Sequence, residues 1–77
     1  MNVILSKDAS KQYGRLSKSD QTKIHKKLLA LEQSPYEGKK LNGELGGIRS
    51  LRAWPYRILY EINEAKNTIA IHKIAHR

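Results

Sequence analysis

The spacing of hydrophobic residues changes along the chain, and this change predicts the order of its secondary structure. Residues 2–5, in which the apolar run Val-Ile-Leu follows the polar Asn2, are typical of a short β-strand. Residues 7–16 and the stretch from Ser17 to Ser34 instead place apolar residues three or four positions apart, as amphipathic helices do. Ser6 precedes the first of these stretches and Ser17 begins the second, and serine is a favoured helix N-cap. The first half of the chain is therefore predicted to be a strand followed by a helical hairpin.

The second half of the chain shows the alternating pattern of strands. Residues 48–53, 56–62 and 68–74 are three such runs, separated by turn residues at 54–55 and 64–67. The alternation places Ile58, Tyr60 and Ile62 against the helices and Arg57 on the opposite face. The predicted order is β-α-α-β-β-β. We expect an α+β fold in which the helical hairpin packs on one face of an antiparallel sheet.

A glycine-rich segment connects the two halves. Residues 34–47 contain Pro35 and four glycines, and connections of this length are often functional. Leu41 and Leu45 are predicted to anchor the segment to the core.

The charge of the chain indicates a polyanionic partner. The sequence has 15 Lys+Arg against 7 Asp+Glu, which gives a formal charge of +8. Lysines dominate the first half, whereas most arginines lie in the second, and an arginine fork suits phosphate better than a lysine point charge. A generic solubilising surface is the alternative interpretation.

Composition excludes several other classes of function. The chain has no cysteine, so disulfides, thiolate metal sites and a cysteine nucleophile are absent. No phosphate-binding loop motif is present, and His72 and His76 lack carboxylates at ligand spacing, so we expect neither a metal nor a cofactor. The apolar runs are too short to span a membrane, and the N-terminus lacks a signal-peptide pattern. We therefore expect a cytoplasmic protein without a membrane partner.

The remaining residue types suit the cleavage of RNA. The ribose 2′-OH can attack its own phosphate, so an enzyme must supply only positioning, charge stabilisation and proton transfer. Arginine stabilises charge, and histidine carries protons near neutral pH. His76 and Arg77 combine both groups at the end of the chain. The alternative is that they form a solvated polar terminus.

Four blocks of the sequence resemble one known family in their order and spacing. They read K-x-L-x-G from Lys39, L-R at 51–52, Y-R-hydrophobic-hydrophobic-Y from Tyr56, and an isoleucine-rich strand that ends in H-R at residues 76–77. This ordered set resembles the RelE/ParE toxin superfamily, and the resemblance covers almost the whole chain.

The resemblance implies the toxin of a type II toxin–antitoxin system. Toxins of the RelE branch cleave mRNA in the A site of the 30S ribosomal subunit without a metal, whereas the ParE branch inhibits DNA gyrase. The expected function is therefore a ribosome-dependent mRNA endonuclease held in check by a cognate antitoxin protein. The alternatives are a gyrase inhibitor and an RNA-binding relative without catalytic activity.

The resemblance also implies roles for individual residues. Arg57 matches the arginine that stabilises the phosphate, Arg77 the arginine at the end of the last strand, and His76 a position that transfers protons in some relatives. Arg52 falls among the basic residues of the preceding strand. The expected contacts to RNA or the ribosome are Lys39, Lys40, Arg49, Lys73 and Trp54. The alternatives are a solvated loop for the lysines and a core-sealing position for Trp54.

Overall fold

The computed structural model describes residues 1–41 and 47–76. Two helices and five strands lie within these ranges. They are β1 (Asn2–Leu5), α1 (Lys7–Gly14), α2 (Lys18–Gln33), β2 (Lys39–Lys40), β3 (Ile48–Ala53), β4 (Tyr56–Asn63) and β5 (Thr68–His76). The predicted anchor Leu45 lies outside the described residues. Among the described residues, no helix is sufficiently long and apolar to cross a membrane.

The strands form a single sheet in the order β1-β5-β4-β3-β2. Neighbouring strands are antiparallel except for β1, which lies parallel to β5. The α+β class and the helical hairpin on one face are thus confirmed, but the sheet is mixed rather than antiparallel throughout. The two-residue strand β2 is a further difference, because it lies in the segment that the sequence predicted to be a loop. No local pattern in the sequence indicates either pairing, because β1 and β5 are distant in sequence and β2 has only two residues.

Serine caps begin both helices, as the sequence predicts. The Ser6 hydroxyl accepts a hydrogen bond from the Ala9 amide at 3.0 Å, and the Ser17 hydroxyl accepts one from the Asp20 amide at 3.2 Å. Each bond satisfies an amide that has no partner within its own helix. The first helix ends at Gly14, two residues before the predicted end. The short link between the helices then allows α2 to fold back beside α1.

The core lies between the helical hairpin and one face of the sheet. Ile24 and Leu31 of α2 are fully buried there, as are four residues of the central strands, Ile58, Tyr60, Ile69 and Ile71. Burial of aliphatic side chains of this size stabilises the fold by about 1.5–3 kcal/mol each. We call the other face of the sheet the open face, because none of the helices in the described ranges packs on it. The structure thus places the alternate residues of each strand on a surface that a ligand can reach.

A β-bulge in the middle of β5 changes which residues face the core. Leu59 pairs with Lys73 but the next residue, Tyr60, pairs with Ile71, so His72 is an extra residue on β5. Ile71 and Ile74 are both buried although they are three positions apart. Regular alternation would place them on opposite faces, which is why the sequence left the orientation of this strand ambiguous.

Candidate nucleic-acid interface

Arg52 and Arg57 lie directly opposite each other on β3 and β4. Cross-strand partners project from the same face of a sheet, and Leu51 and Ile58, their neighbours, are buried against the helices. Both arginines therefore project from the open face, as the alternation predicted. Among the described residues, no carboxylate lies within ion-pairing distance of either guanidinium. Two adjacent cations without an acidic partner make this position favourable for an anion.

A groove lies beside this arginine pair. Strand β3 continues for three residues beyond its pairing with β2, from Leu51 to Ala53, and the chain that precedes β2 forms the facing wall. The groove has a volume of about 500 Å³. Its described lining residues come from the wall and from the two arginine-bearing strands: Glu37, Gly38, Lys39, Leu41, Ser50, Leu51, Arg52 and Arg57.

The predicted lysine contacts divide between the two faces. Lys39 pairs with Ser50 and Lys73 pairs with Leu59, so both lysines share the open face with the arginine pair. Lys40 is the cross-strand partner of Arg49 and projects from the other side of the sheet. Of the three predicted lysine contacts, only Lys39 lines the groove, and its side chain is exposed there.

Glu37 lines the groove, and the sequence reasoning did not single it out. It is exposed and lies in a turn that is closed by a 3.1 Å hydrogen bond from the Glu37 amide to the Ser34 carbonyl. The available signal was its position just before Lys39, within a connection already interpreted as functional. A carboxylate in a cationic segment does not by itself indicate a contact with phosphate, although RNA cleavage also needs a proton acceptor.

Arg49 does not project into the groove. Its cross-strand partner is the buried Tyr60, so it lies on the opposite face from Arg52 and Arg57. Its guanidinium donates hydrogen bonds to the carbonyls of Gly38, at 2.9 Å, and Tyr36, at 3.3 Å. It also lies over the Tyr36 ring, with 5.0 Å between the guanidinium carbon and the ring centroid.

The structure does not bring His76 together with the arginine pair. His76 pairs with the buried Tyr56, and the two rings meet edge to face with centroids 5.2 Å apart. The residue on the arginine face at this level is Ala75, the partner of Arg57. Proton transfer by His76 stays a prediction. Arg77, the other terminal residue of the predicted site, lies outside the described residues.

Trp54 and Tyr56 flank a cis-proline turn and differ sharply in exposure. Trp54 is 65% exposed, whereas Tyr56 is buried. This exposure excludes a position inside the core for Trp54, and base stacking stays a prediction. The Tyr56 hydroxyl donates to the Asp20 carboxylate at 2.8 Å, and this bond raises the pKa of Tyr56. Helix α2 thereby holds the turn that carries Trp54.

Tyr60 fixes the wall of the groove from within the core. Its hydroxyl accepts a hydrogen bond from the Gly38 amide and donates one to the Pro35 carbonyl, both at 2.9 Å. Burial of the ring raises the pKa of Tyr60, so the hydroxyl remains protonated and available as a donor. A methyl group on Gly38 would lie 2.5 Å from this hydroxyl and 3.0 Å from the Ser50 carbonyl oxygen.

Replacement of Gly38 by alanine is expected to destabilise the fold by about 1–3 kcal/mol, because the added methyl group must displace Tyr60 or the β3 backbone. The free energy of unfolding, measured in urea, checks this prediction. Gly14→Ala is the matched control, since a methyl group there meets no atom within 4 Å and alanine favours helix. Equal stability of the two variants would contradict the packing that we describe for Gly38.

No group of three or more potential metal ligands occurs in residues 1–41 and 47–76. His72 Nε2 lies within hydrogen-bond distance, 3.0 Å, of a Glu61 carboxylate oxygen, on the open face and away from the arginine pair. The described part of the groove therefore offers two guanidinium groups, one ammonium group and one carboxylate.

Comparison with known proteins identifies the family. The sequence-family model for the ParE toxin of type II toxin–antitoxin systems matches residues 3–77. No curated protein sequence matches the chain. Among solved structures, the chain is similar to the toxin–antitoxin complex RelBE2 from Mycobacterium tuberculosis, with 28% identity and a TM-score of 0.90 over 99% of this chain and 96% of that one.

Two further structures resemble the chain. The archaeal RelE–RelB complex from Pyrococcus horikoshii has 25% identity and a TM-score of 0.82 over 99% of this chain and 93% of that one. The isolated RelE toxin from E. coli, at 23% identity, shares the fold, with a TM-score of 0.83 over 97% of this chain and 82% of that one. The chain belongs to the ParE toxin family of type II toxin–antitoxin systems, within the RelE/ParE superfamily.

Proposed function

We propose that the chain is a ribosome-dependent, metal-free mRNA endonuclease that acts in the ribosomal A site and thereby inhibits translation. The observation that carries this proposal is the pair Arg52 and Arg57, directly opposed on the open face and without a described acidic partner. Such a pair can contact two non-bridging oxygens of one phosphate. Its ribosome and mRNA targets would place the protein in the cytoplasm.

The proposed reaction uses the nucleophile of the substrate. The ribose 2′-OH attacks the adjacent phosphorus, the bond to the 5′ oxygen breaks, and a 2′,3′-cyclic phosphate forms. Arg52 and Arg57 stabilise the charge that accumulates on the phosphorane. Lys39 stabilises the charge that develops on the departing 5′ oxygen, which takes a proton from water and leaves as the 5′-hydroxyl. These groups need no metal, because they supply the positive charge themselves.

Glu37 is the proposed proton acceptor for the 2′-OH. The other charged side chains described in the groove are those of Lys39, Arg52 and Arg57, and ammonium and guanidinium groups are donors without an acceptor atom. The carboxylate of Glu37 offers acceptor oxygens that can take a proton. A carboxylate also repels the phosphate backbone, so its presence in a cationic groove has a cost in affinity that a role in catalysis would explain.

An antitoxin is the second proposed partner. The relatives from M. tuberculosis and P. horikoshii were solved in complexes with their antitoxins. The charge of +8 on this chain favours a partner with acidic residues, carried on an amphipathic segment that covers the helices, the basic face or both.

Inhibition of DNA gyrase is the alternative function, and the match to the ParE family model favours it. The two functions differ in what induced expression does to a bacterial cell. An endonuclease is expected to arrest growth and to leave mRNA ends at codon-spaced positions, which mapping of transcript 5′ ends detects. A gyrase inhibitor would instead induce the SOS response and DNA breaks. Growth arrest with intact mRNA would contradict the endonuclease proposal, and an RNA-binding relative without catalytic activity would produce neither pattern.

A further inference from the structure

Arg49 contacts the wall of the groove from the far side of the sheet. The register that pairs it with Tyr60 sets it on the face opposite to Arg52 and Arg57. Its guanidinium donates to the Gly38 and Tyr36 carbonyls and lies over the Tyr36 ring. In the described structure this cation is therefore engaged with protein groups and does not project into the groove.

The contacts of Arg49 fix the residue that precedes Lys39. The Gly38 carbonyl accepts from Arg49 at 2.9 Å, while the Gly38 amide donates to the Tyr60 hydroxyl at the same distance. Both backbone polar groups of Gly38 are thus held, the carbonyl by Arg49 of β3 and the amide by Tyr60 of β4. The flanking residues Glu37 and Lys39 carry the groove's described carboxylate and ammonium groups. Movement of Gly38 would displace both.

A second set of contacts holds Tyr36, on which Arg49 lies. The Tyr36 hydroxyl donates to Glu64 in the turn between β4 and β5. This hydrogen bond raises the pKa of Tyr36 and keeps the hydroxyl protonated. The ring is therefore held at its outer end while its face receives the guanidinium, in a cation–π contact.

We propose that Arg49 is a positioning residue for the groove: it holds residues 36–38 so that Glu37 and Lys39 face Arg52 and Arg57 across it. This inference rests on the proposed endonuclease function for the identity of the ligand. Arginine is suited to the role because its planar guanidinium stays charged and stacks on the Tyr36 ring while one nitrogen, Nη1, donates to both carbonyls. Lysine retains the charge but not the planar group.

Hydrogen exchange tests the positioning role without RNA. Arg49→Gln is expected to accelerate exchange of the amides of residues 36–39 by about tenfold or more, since a hydrogen bond from a charged donor is strong enough to shift a local opening equilibrium by that factor. Arg49→Lys should give a smaller acceleration. Lys66→Gln, an equal loss of charge in the turn at 64–67, should leave these amides unchanged. Unchanged exchange in Arg49→Gln would overturn the proposal.

Binding of an uncleavable oligoribonucleotide, with 2′-deoxyribose at the scissile position, tests the connection to the groove. We expect Arg49→Gln to weaken binding about three- to tenfold. Because Arg49 acts through the position of Lys39, the double variant Arg49→Gln/Lys39→Gln should bind hardly more weakly than Lys39→Gln alone. If the fold losses of affinity in the two single variants instead multiply in the double variant, Arg49 contacts RNA directly and the proposal is overturned. If the wild-type chain cleaves no mRNA on programmed ribosomes, the proposed function fails, while the exchange result still decides whether Arg49 orders the wall.

Discussion

Replacement of Arg57 by alanine is expected to lower the rate of mRNA cleavage by about 10²–10³-fold and to abolish growth arrest. The proposed transition state carries its greatest negative charge on the phosphorane, and loss of one preorganised donor to such a group typically costs a factor of this size. Arg57 is the central member of the proposed site, because its partners across the sheet are Arg52 on one side and Ala75 on the other. Alanine leaves Arg52 alone at the phosphate.

The Arg57→Ala variant should remain folded. No described hydrogen bond or ion pair joins the Arg57 side chain to the core, so we expect its stability to change by less than about 1 kcal/mol. Circular dichroism and a thermal melt check the fold, and single-turnover cleavage on programmed ribosomes checks the rate. Arg57→Lys, which retains the charge without the fork, should recover part of the activity, whereas Lys66→Gln should retain all of it. Undiminished cleavage by Arg57→Ala would remove Arg57 from the site.

The sequence predicted the position of Arg57 because local patterns determine it. The period-two spacing of Ile58, Tyr60 and Ile62 specifies the faces of β4, and a two-residue turn at Trp54 and Pro55 then places Arg52 opposite Arg57. Both inferences need only residues that are close in sequence. The Ser6 and Ser17 caps were predictable for the same reason.

The position of His76 could not be predicted, because a bulge interrupts the alternation of β5. The extra residue His72 shifts the phase of the strand, so the faces of Ala75 and His76 depend on where the bulge lies. The position of the bulge is visible only in the structure, where Ile71 pairs with Tyr60 and Ile74 pairs with Ile58. The parallel pairing of β1 with β5 escaped prediction because its partners are separated by almost the whole chain.

The role of Arg49 was missed for a different reason. In the sequence it is one of several basic residues on neighbouring strands, and basic residues in a cationic chain suggest contact with an anion. The structure shows that a cation can also satisfy carbonyl groups of the chain itself, as Arg49 does for Gly38 and Tyr36. Only the three-dimensional position of the turn at 34–38 distinguishes these two uses of a guanidinium group.

Replacement of Glu37 by glutamine is expected to lower the cleavage rate by about 10²-fold, a typical contribution of a general base. Glutamine has nearly the same shape as glutamate but cannot take a proton from the 2′-OH. Because the substitution also removes a negative charge from a groove lined by Lys39, Arg52 and Arg57, RNA binding should be unchanged or tighter. The variant therefore separates the rate of the chemical step from affinity.

Single-turnover cleavage on programmed ribosomes gives the rate, and binding of the uncleavable oligoribonucleotide gives the affinity. Glu32→Gln is the matched control, since it removes the same charge from an exposed position at the end of α2 and should leave the cleavage rate unaltered. A Glu37→Gln variant that cleaves as fast as the wild type would show that another group accepts the proton. A variant that binds RNA more weakly would show that the carboxylate serves the shape of the groove. Slow cleavage with undiminished binding is the result that only a proton acceptor gives, because loss of a structural contact would weaken both.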